Sequence, residues 1–312
     1  MRRIRNIGVI LRPNMPSLAA YYHEIKAIFK HYNLTTILDS SSAEMIQESE
    51  GLTFEELLHC VDLLLAVGGD GTLLALIRRS YGSQIPVMGV NMGRMGFLAE
   101  IYRNEVSLLC ECLVNGEYSI QEALMLEGEL HWHGKYPLLV DTIGVHYGKT
   151  ACVHSIDEKI IHFFAFNEFT LMRSDTFGMI YPQISIVTEQ DECKPFNSFG
   201  GDGLLISTPH GSTAYNISAG GPILYPFSEN SILTPICAHS LTQCPLVLSS
   251  DLVLCLELLE PSAASLLIDG QRRTKFEFGS RLFVRKATQS ALLLYTKHYD
   301  YFKILREKFR WG

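Results

Sequence analysis

The chain has 312 residues, 47% of them hydrophobic and 19% charged, which is enough for about two domains of ~150 residues each. That composition excludes a disordered chain, a coiled coil and a disulfide-stapled miniprotein. The formal net charge of −7 argues against a sequence-independent grip on nucleic acid, so any phosphate must be held by local geometry.

Ile7 to Leu11 is a short apolar run suited to a buried parallel strand. After Pro13 and Pro16, Ser17 is positioned to cap a helix whose apolar residues Leu18, Tyr21, Tyr22, Ile25, Ile28, Phe29 and Tyr32 recur at three- and four-residue steps. Leu34 to Leu38 reads as a second strand, and Thr53-Phe-Glu-Glu56 has capping-box spacing. Val61 to Val67 is a third buried strand. It leads into Gly68-Gly-Asp-Gly-Thr72 and a helix over Leu73 to Tyr81. Ile85 to Val90 is a further strand, followed by the glycine-spaced Asn91 to Phe97 and a helix around Glu105 to Leu113. This alternation predicts a Rossmann-like parallel sheet wrapped by helices.

From Tyr118 onwards the pattern changes to short β-rich runs separated by turn residues. Examples are Ile160 to Phe166, Gln183 to Val187, Leu204 to Ser207 and Leu252 to Leu258. The expected organisation is an α/β domain over 1–116, a mostly β domain over 117–285, and a tail over 286–312 that packs back on the first domain. Tyr301, Phe302, Leu305 and Phe309 give that tail helical spacing.

The eight cysteines, at 60, 110, 112, 152, 193, 237, 244 and 255, include no CxxC pair. Several, such as Cys237 and Cys255, sit in apolar stretches, so buried reduced thiols are expected. The opening Met1 to Leu11 is basic then apolar, but Arg12 and Pro13 end the run too early for a signal peptide. Pro245 and Asp251 break the apolar stretch Leu241 to Leu259, so no membrane span is expected and the cytoplasm is the default.

The glycine-rich turns carry the chemistry. Asp70 stands at the C-terminal end of a buried strand, where open α/β sheets bind ligands. Its flanking glycines let backbone amides approach an anion, and the following helix offers its positive N-terminus. A carboxylate there repels phosphate, so its work is to accept a proton from an attacking hydroxyl or to hold a divalent cation. A plain helix-capping aspartate is the bland alternative. The second turn, Gly200-Gly-Asp-Gly203, precedes a strand and then a run from Thr208 to Pro222 dense in glycine and hydroxyl residues around Tyr215. Amides and hydroxyls of that kind read the polar edges of a nucleotide, and Tyr215 adds an aromatic face or a phenol. Asn167-Glu168, after the aromatic strand, suits paired hydrogen bonds to sugar hydroxyls, though a simple strand-end turn explains it too.

Other patterns fail. Gly144-x-x-x-Gly148-Lys149-Thr150 is one residue short of a P-loop. His131-Trp-His133 has no third ligand at metal spacing. Gly89, Gly93 and Gly96 do not make GxGxxG, and no Gly-x-Ser-x-Gly occurs.

Taken in order, Gly68 to Thr72, Pro86 to Leu98, Asn167-Glu168, Asp202 to Tyr215, Ser218 to Pro222, Leu233 to Leu241 and Leu267 to Gln271 resemble the NAD kinases. The resemblance implies ATP-dependent phosphorylation of the adenosine-ribose 2′-hydroxyl of NAD, giving NADP. It implies Asp70 as proton acceptor, with Gly71, Thr72 and Phe97 on the substrate side. Asn167 and Glu168 match the pair that binds the substrate's adenosine portion. Asp202 matches an aspartate near the nicotinamide half, often donated by a neighbouring subunit. Thr213, Ala214, Tyr215, Asn216 and Ser218 match the block lining the dinucleotide pocket, and Gln271 is a further match. It also implies a divalent cation, Mg2+, and a cytoplasmic homodimer or homotetramer with no membrane or nucleic-acid partner. ATP or polyphosphate is the expected donor.

The sequence departs from that pattern in two places. Many bacterial relatives carry a basic residue two positions before the second motif's aspartate, where this chain has Gly200. The stretch Glu189 to Phe199 is slightly longer, and no site residue is assigned there. Two other classes compete. A lipid or sugar kinase shares GGDGT but lacks the Thr213-Ala-Tyr215 block. A catalytically silent dinucleotide sensor would more readily have lost Asp70.

Overall fold

The computed structural model describes residues 3–93, 96–99, 101–132, 140–141, 156–157, 160–174 and 178–311. The rejected P-loop-like Gly144 to Thr150, Cys152 and His133 lie outside them. The chain divides into two units, Met1–Glu122 with Ala291–Gly312, and Ala123–Ser290.

The first unit begins β1 (Asn6–Leu11), α1 (Leu18–His31), β2 (Thr35–Leu38), α2 (Ser40–Ile46), α3 (Phe54–Cys60), β3 (Leu63–Gly68), α4 (Asp70–Arg79), β4 (Val87–Asn91), β5 (Ile101–Tyr102), α5 (Val106–Asn115) and β6 (Tyr118–Ala123). Strands β1, β2, β3, β4 and β5 pair in parallel. Every residue of β3 and β4 is buried, as parallel strands covered on both faces require. Thr53 and Glu56 form the reciprocal capping box that opens α3. Ser17 stands at the N-cap of α1, but its side chain makes no capping bond, because its backbone is already αR. The helix expected from Leu73 starts three residues earlier, at Asp70, so the GGDGT aspartate lies in its first turn.

The second unit adds β7 (Leu126–His131), β8 (Val140–Asp141), β9 (Ile156–Asp157), β10 (Ile160–Ala165), β11 (Glu168–Arg173), β12 (Pro182–Val187), β13 (Cys193–Ser198), β14 (Gly203–Ser207), α6 (Tyr215–Ser218), β15 (Asn230–Ile236), β16 (Leu246–Ser249), β17 (Leu254–Leu258), β18 (Ala264–Ile268), β19 (Arg272–Phe276) and β20 (Arg281–Lys286). They form two seven-stranded sheets, in the orders β13-β12-β17-β20-β7-β10-β9 and β16-β15-β14-β11-β18-β19-β8. One apolar core joins them, with Leu130, Phe163 and Leu256 from one sheet and Phe169, Leu204 and Leu266 from the other. The sheets come close at Gly128, where a Cβ would lie 2.7 Å from the Phe169 ring. A bulkier residue there would push the layers apart.

The chain then returns to the first unit as β21 (Ala291–Thr296), which pairs in parallel with β4, and ends in α7 (Tyr301–Phe309). Among the described residues, the seven cysteines form no disulfide. Cys110, Cys112 and Cys255 are buried as expected, whereas Cys60, Cys237 and Cys244 are exposed. The apolar neighbours of Cys237 misled because β15 ends at Ile236 and the backbone turns at Cys237 with φ +46°. Among the described residues no helix is long and apolar enough to cross a membrane.

Candidate functional site

In the first unit the site is built on the end of β3. Gly69 is extended and precedes Asp70, the first residue of α4. The Asp70 carboxylate accepts two backbone amides from the loop after β4, from Phe97 at 2.8 Å and Ala99 at 3.1 Å. The backbone lies so close that a Cβ on Gly96 would sit 1.8–1.9 Å from the carboxylate, so only glycine fits there. Gly68 is constrained likewise, since a Cβ would fall 2.3 Å from Thr72 Oγ1. Thr72 is therefore buried against the turn, while Gly71 is exposed. Among the described residues, a Cβ on Gly69 would meet nothing within 4 Å. The turn thus offers an open approach to the N-terminus of α4, the place where a helix favours an anion. Each Asp70 oxygen keeps a lone pair beyond its amide bond, which suits a proton or one edge of a hydrated cation.

In the second unit, Asn167 and Glu168 lie where β10 passes into β11, and both are buried. A residue not singled out from the sequence, Asp269, holds them. Its carboxylate accepts the amides of Phe166 at 3.1 Å, Asn167 at 2.7 Å and Glu168 at 3.1 Å. The Asp269 amide donates back to the Glu168 carbonyl at 2.9 Å. From the other side, the Thr208 amide and hydroxyl donate to the carbonyls of Asn167 and Phe166 at 2.8 and 2.6 Å. Gly211 is pressed on the same segment, where a Cβ would lie 2.0 Å from the Asn167 carbonyl oxygen. With its backbone fully engaged, the pair presents the Asn167 Oδ1, a buried atom with no hydrogen-bond partner among the described residues. Such an atom is costly unless something supplies a hydrogen bond. Gln271, two residues beyond Asp269, is also buried.

The Thr208 to Pro222 run forms a 3-10 turn at Gly211–Thr213 and the short helix α6. Thr213 and Ala214 are partly exposed, and Ser218 and Tyr215 are exposed. Burial, followed by the charges of Cys237, Asp202 and Glu168, pushes the Tyr215 phenol up. Asn216 is different. It is fully buried, its amide donates to the carbonyls of Ser212 and Pro222, and its oxygen accepts the Thr234 hydroxyl. Those bonds tie the loop to β15 and make Asn216 part of the scaffold. Asp202 pairs with Arg173 at 2.8 Å. At Gly200 a Cβ would come 2.8 Å from the Tyr181 ring, so this chain carries an aromatic ring where a basic side chain would need room.

His210 is buried between the rings of Phe166 and Phe227, at 4.9 and 5.6 Å, and neither ring nitrogen has a hydrogen-bond partner among the described residues. Burial pushes its pKa from 6.5 down to about 3. The unfolded chain therefore takes up a proton below pH 6.5 that the folded chain refuses until about pH 3. Stability should be full above pH 6.5 and fall by about 2 kcal/mol by pH 5 from this group. Urea titrations at pH 7 and pH 5 should show that loss in the native chain and its absence in His210→Leu. Equal acid losses in both proteins would refute it.

A helix N-terminus with a fixed carboxylate in one unit, and a polar loop with an unpaired amide oxygen in the other, are features of a nucleotide-dependent phosphotransferase. Residues 7–118 match the family described as ATP-NAD kinase N-terminal domain, and residues 166–296 match ATP-NAD kinase C-terminal domain. The NAD kinase of Wolinella succinogenes is 44% identical over 99% of this chain and 96% of its own length. That of Helicobacter hepaticus is 38% identical over 99% and 97%. Among solved structures, yeast NADH kinase complexed with NADH superposes with a TM-score of 0.81 at 21% identity, covering 100% of this chain and 89% of that one. An NAD kinase from Archaeoglobus fulgidus in complex with ATP gives 0.69 at 20% identity, with 98% of each chain covered. At those identities the likeness is one of fold. The chain belongs to the NAD kinase family.

Proposed function

We propose that Asp70 drives the family's reaction in this chain, phosphorylation of NAD to NADP with ATP, by accepting the proton of the adenosine-ribose 2′-hydroxyl as the terminal phosphoryl group is transferred. The observation that carries this is the Asp70 carboxylate itself, fixed at the first position of α4 by two amides with lone pairs to spare. A sugar hydroxyl is a poor nucleophile, and an oriented carboxylate relieves it of its proton as the new O–P bond forms. Gly71 and Thr72, in the first turn of α4, stand on the substrate side, and the N-terminus of α4 favours the phosphates. Asn167 and Glu168 bind the adenosine portion, with the Asn167 Oδ1 accepting from the substrate. Thr213, Ala214, Tyr215 and Ser218 line the dinucleotide pocket, Gln271 is a further substrate-binding residue, Asp202 serves the nicotinamide half, and Phe97 borders the substrate.

A divalent cation, Mg2+, would offset charge on the phosphates. Among the described residues no three His, Cys, Asp or Glu side chains gather to hold one. Such an ion would be held mainly by the nucleotide's own phosphate oxygens and water, leaving the Asp70 carboxylate for the proton. Free thiols fit a reducing compartment, so the cytoplasm is the proposed location. The edge strand β16 exposes Leu246 and Val247, which favours a homodimer or homotetramer. The test is NADP formation from NAD, ATP and magnesium, coupled to an NADP-specific dehydrogenase, in the native chain and in Asp70→Asn. Turnover by the native chain that survives in the variant would overturn the role of Asp70.

A further inference from the structure

The loop that fixes Asp70 is itself held at both ends. Ala99 is buried beside β4, its Cβ 2.9 Å from where a Cβ on Gly89 would stand. The Phe97 end is held by the C-terminus of the chain. The Phe97 ring lies 5.6 Å from that of Phe309, the last residue of α7, at an interplanar angle of 36°. The Lys308 ammonium sits 5.8 Å from the centroid of the Phe97 ring, within reach of a cation–π contact. Behind Phe309, the Trp311 ring stacks at 5.5 Å. Helix α7 is a firm base for this contact. The Asp300 side chain caps its start, Ile304 and Leu305 are buried, and Arg310 at φ +54° closes its end.

We propose that Phe309 is a positioning residue for the phosphoryl transfer: its ring fixes Phe97 and thereby the amide that Asp70 accepts. The proposal rests on Asp70 being the proton acceptor. A carboxylate on the first residue of a helix can swing about its own side-chain bonds, and two amides select one orientation. Because Phe97 carries both the amide and the ring, whatever loosens the ring loosens the aim of Asp70. Proton transfer needs its groups within hydrogen-bond reach, so small losses of aim reduce rate without reducing ground-state binding.

The test uses the full chain with Phe309→Ala and Phe309→Tyr, measuring kcat, both KM values and hydrogen exchange at the Phe97 amide. Loss of an aromatic pair should lower kcat about two- to tenfold. Both KM values should change less than kcat does, because Phe97 also borders the substrate, and the Phe97 amide should exchange faster while amides of β3 keep their protection. Phe309→Tyr should restore rate and protection together. If the alanine variant does not fold, Phe309→Leu carries the same comparison. An unchanged kcat, a KM change larger than the kcat change, or an equal loss in Phe302→Ala, on the same helix but 59% exposed, would overturn the proposal. Should Asp70→Asn retain turnover, the proton-acceptor role fails by itself, and the Phe97 amide still reports whether α7 holds the loop.

Discussion

Asp70→Asn should lower kcat for NADP formation by about 10²–10⁴-fold and leave the KM for NAD within about twofold. Asparagine has nearly the same shape, so α4 should start at the same residue and the turn should keep its course. Its amide oxygen can still accept one of the two N–H groups, from Phe97 or Ala99, while its NH2 turns a donor toward the other and loosens that end of the loop. What it lacks is a basic oxygen able to take a proton, so the loss falls on the chemical step. Asp70→Glu should be as inactive for a different reason. The Gly96 backbone leaves no room beside the carboxylate, so an added methylene must push the carboxyl group or the loop aside. The coupled assay separates these cases from misfolding when paired with calorimetric NAD binding, which should survive in Asp70→Asn. A variant within tenfold of the native rate would remove the proton-acceptor role.

The parallel unit could be read from the sequence because its signals are local. Strand β3 is an unbroken buried run that ends in glycine, and Thr53-x-x-Glu56 forms the cap its spacing predicts. Asp70 stood out for the same reason, as a carboxylate between glycines at a strand end. What stayed hidden depends on partners far along the chain. Strand β21 joins β4 across some two hundred residues, with Leu293 beside Val87, and its own sequence does not name that neighbour. Asn216 sits among residues that read as a nucleotide loop, yet its hydrogen bonds to Ser212, Pro222 and Thr234 are all internal. Local composition could not divide that loop into scaffold and contact. Phe97 was legible as part of a glycine-spaced motif, but its packing on Phe309 was not. Asp269 left a partial trace. An aspartate before glycine marks a turn with positive φ, and both Asp269 and Gly270 adopt it. The amides its side chain meets lie 101 to 103 residues earlier, and no local pattern encodes that meeting.

Asp269→Ala should cost about 3–5 kcal/mol of stability, because three buried amides lose their acceptor at about 1–3 kcal/mol each and entering water recovers some of the loss. For a unit of this size that corresponds to a fall in Tm of about 10 °C. Asp269→Asn is the sharper probe. Asparagine tolerates the positive φ as well as aspartate does, so the backbone strain is the same in both. It keeps one oxygen for the Asn167 and Glu168 amides and turns its NH2 toward the Phe166 amide, so a donor faces a donor. The variant should fold with a smaller loss, about 1.5–3 kcal/mol, and with the Asn167-Glu168 segment loosened. If that segment binds the adenosine portion, the KM for NAD should rise about tenfold while the KM for ATP stays unchanged. A stability loss with both KM values intact would make Asp269 a structural acceptor alone. It would also weaken the assignment of Asn167 and Glu168, because a binding pair whose backbone has been released cannot keep its grip.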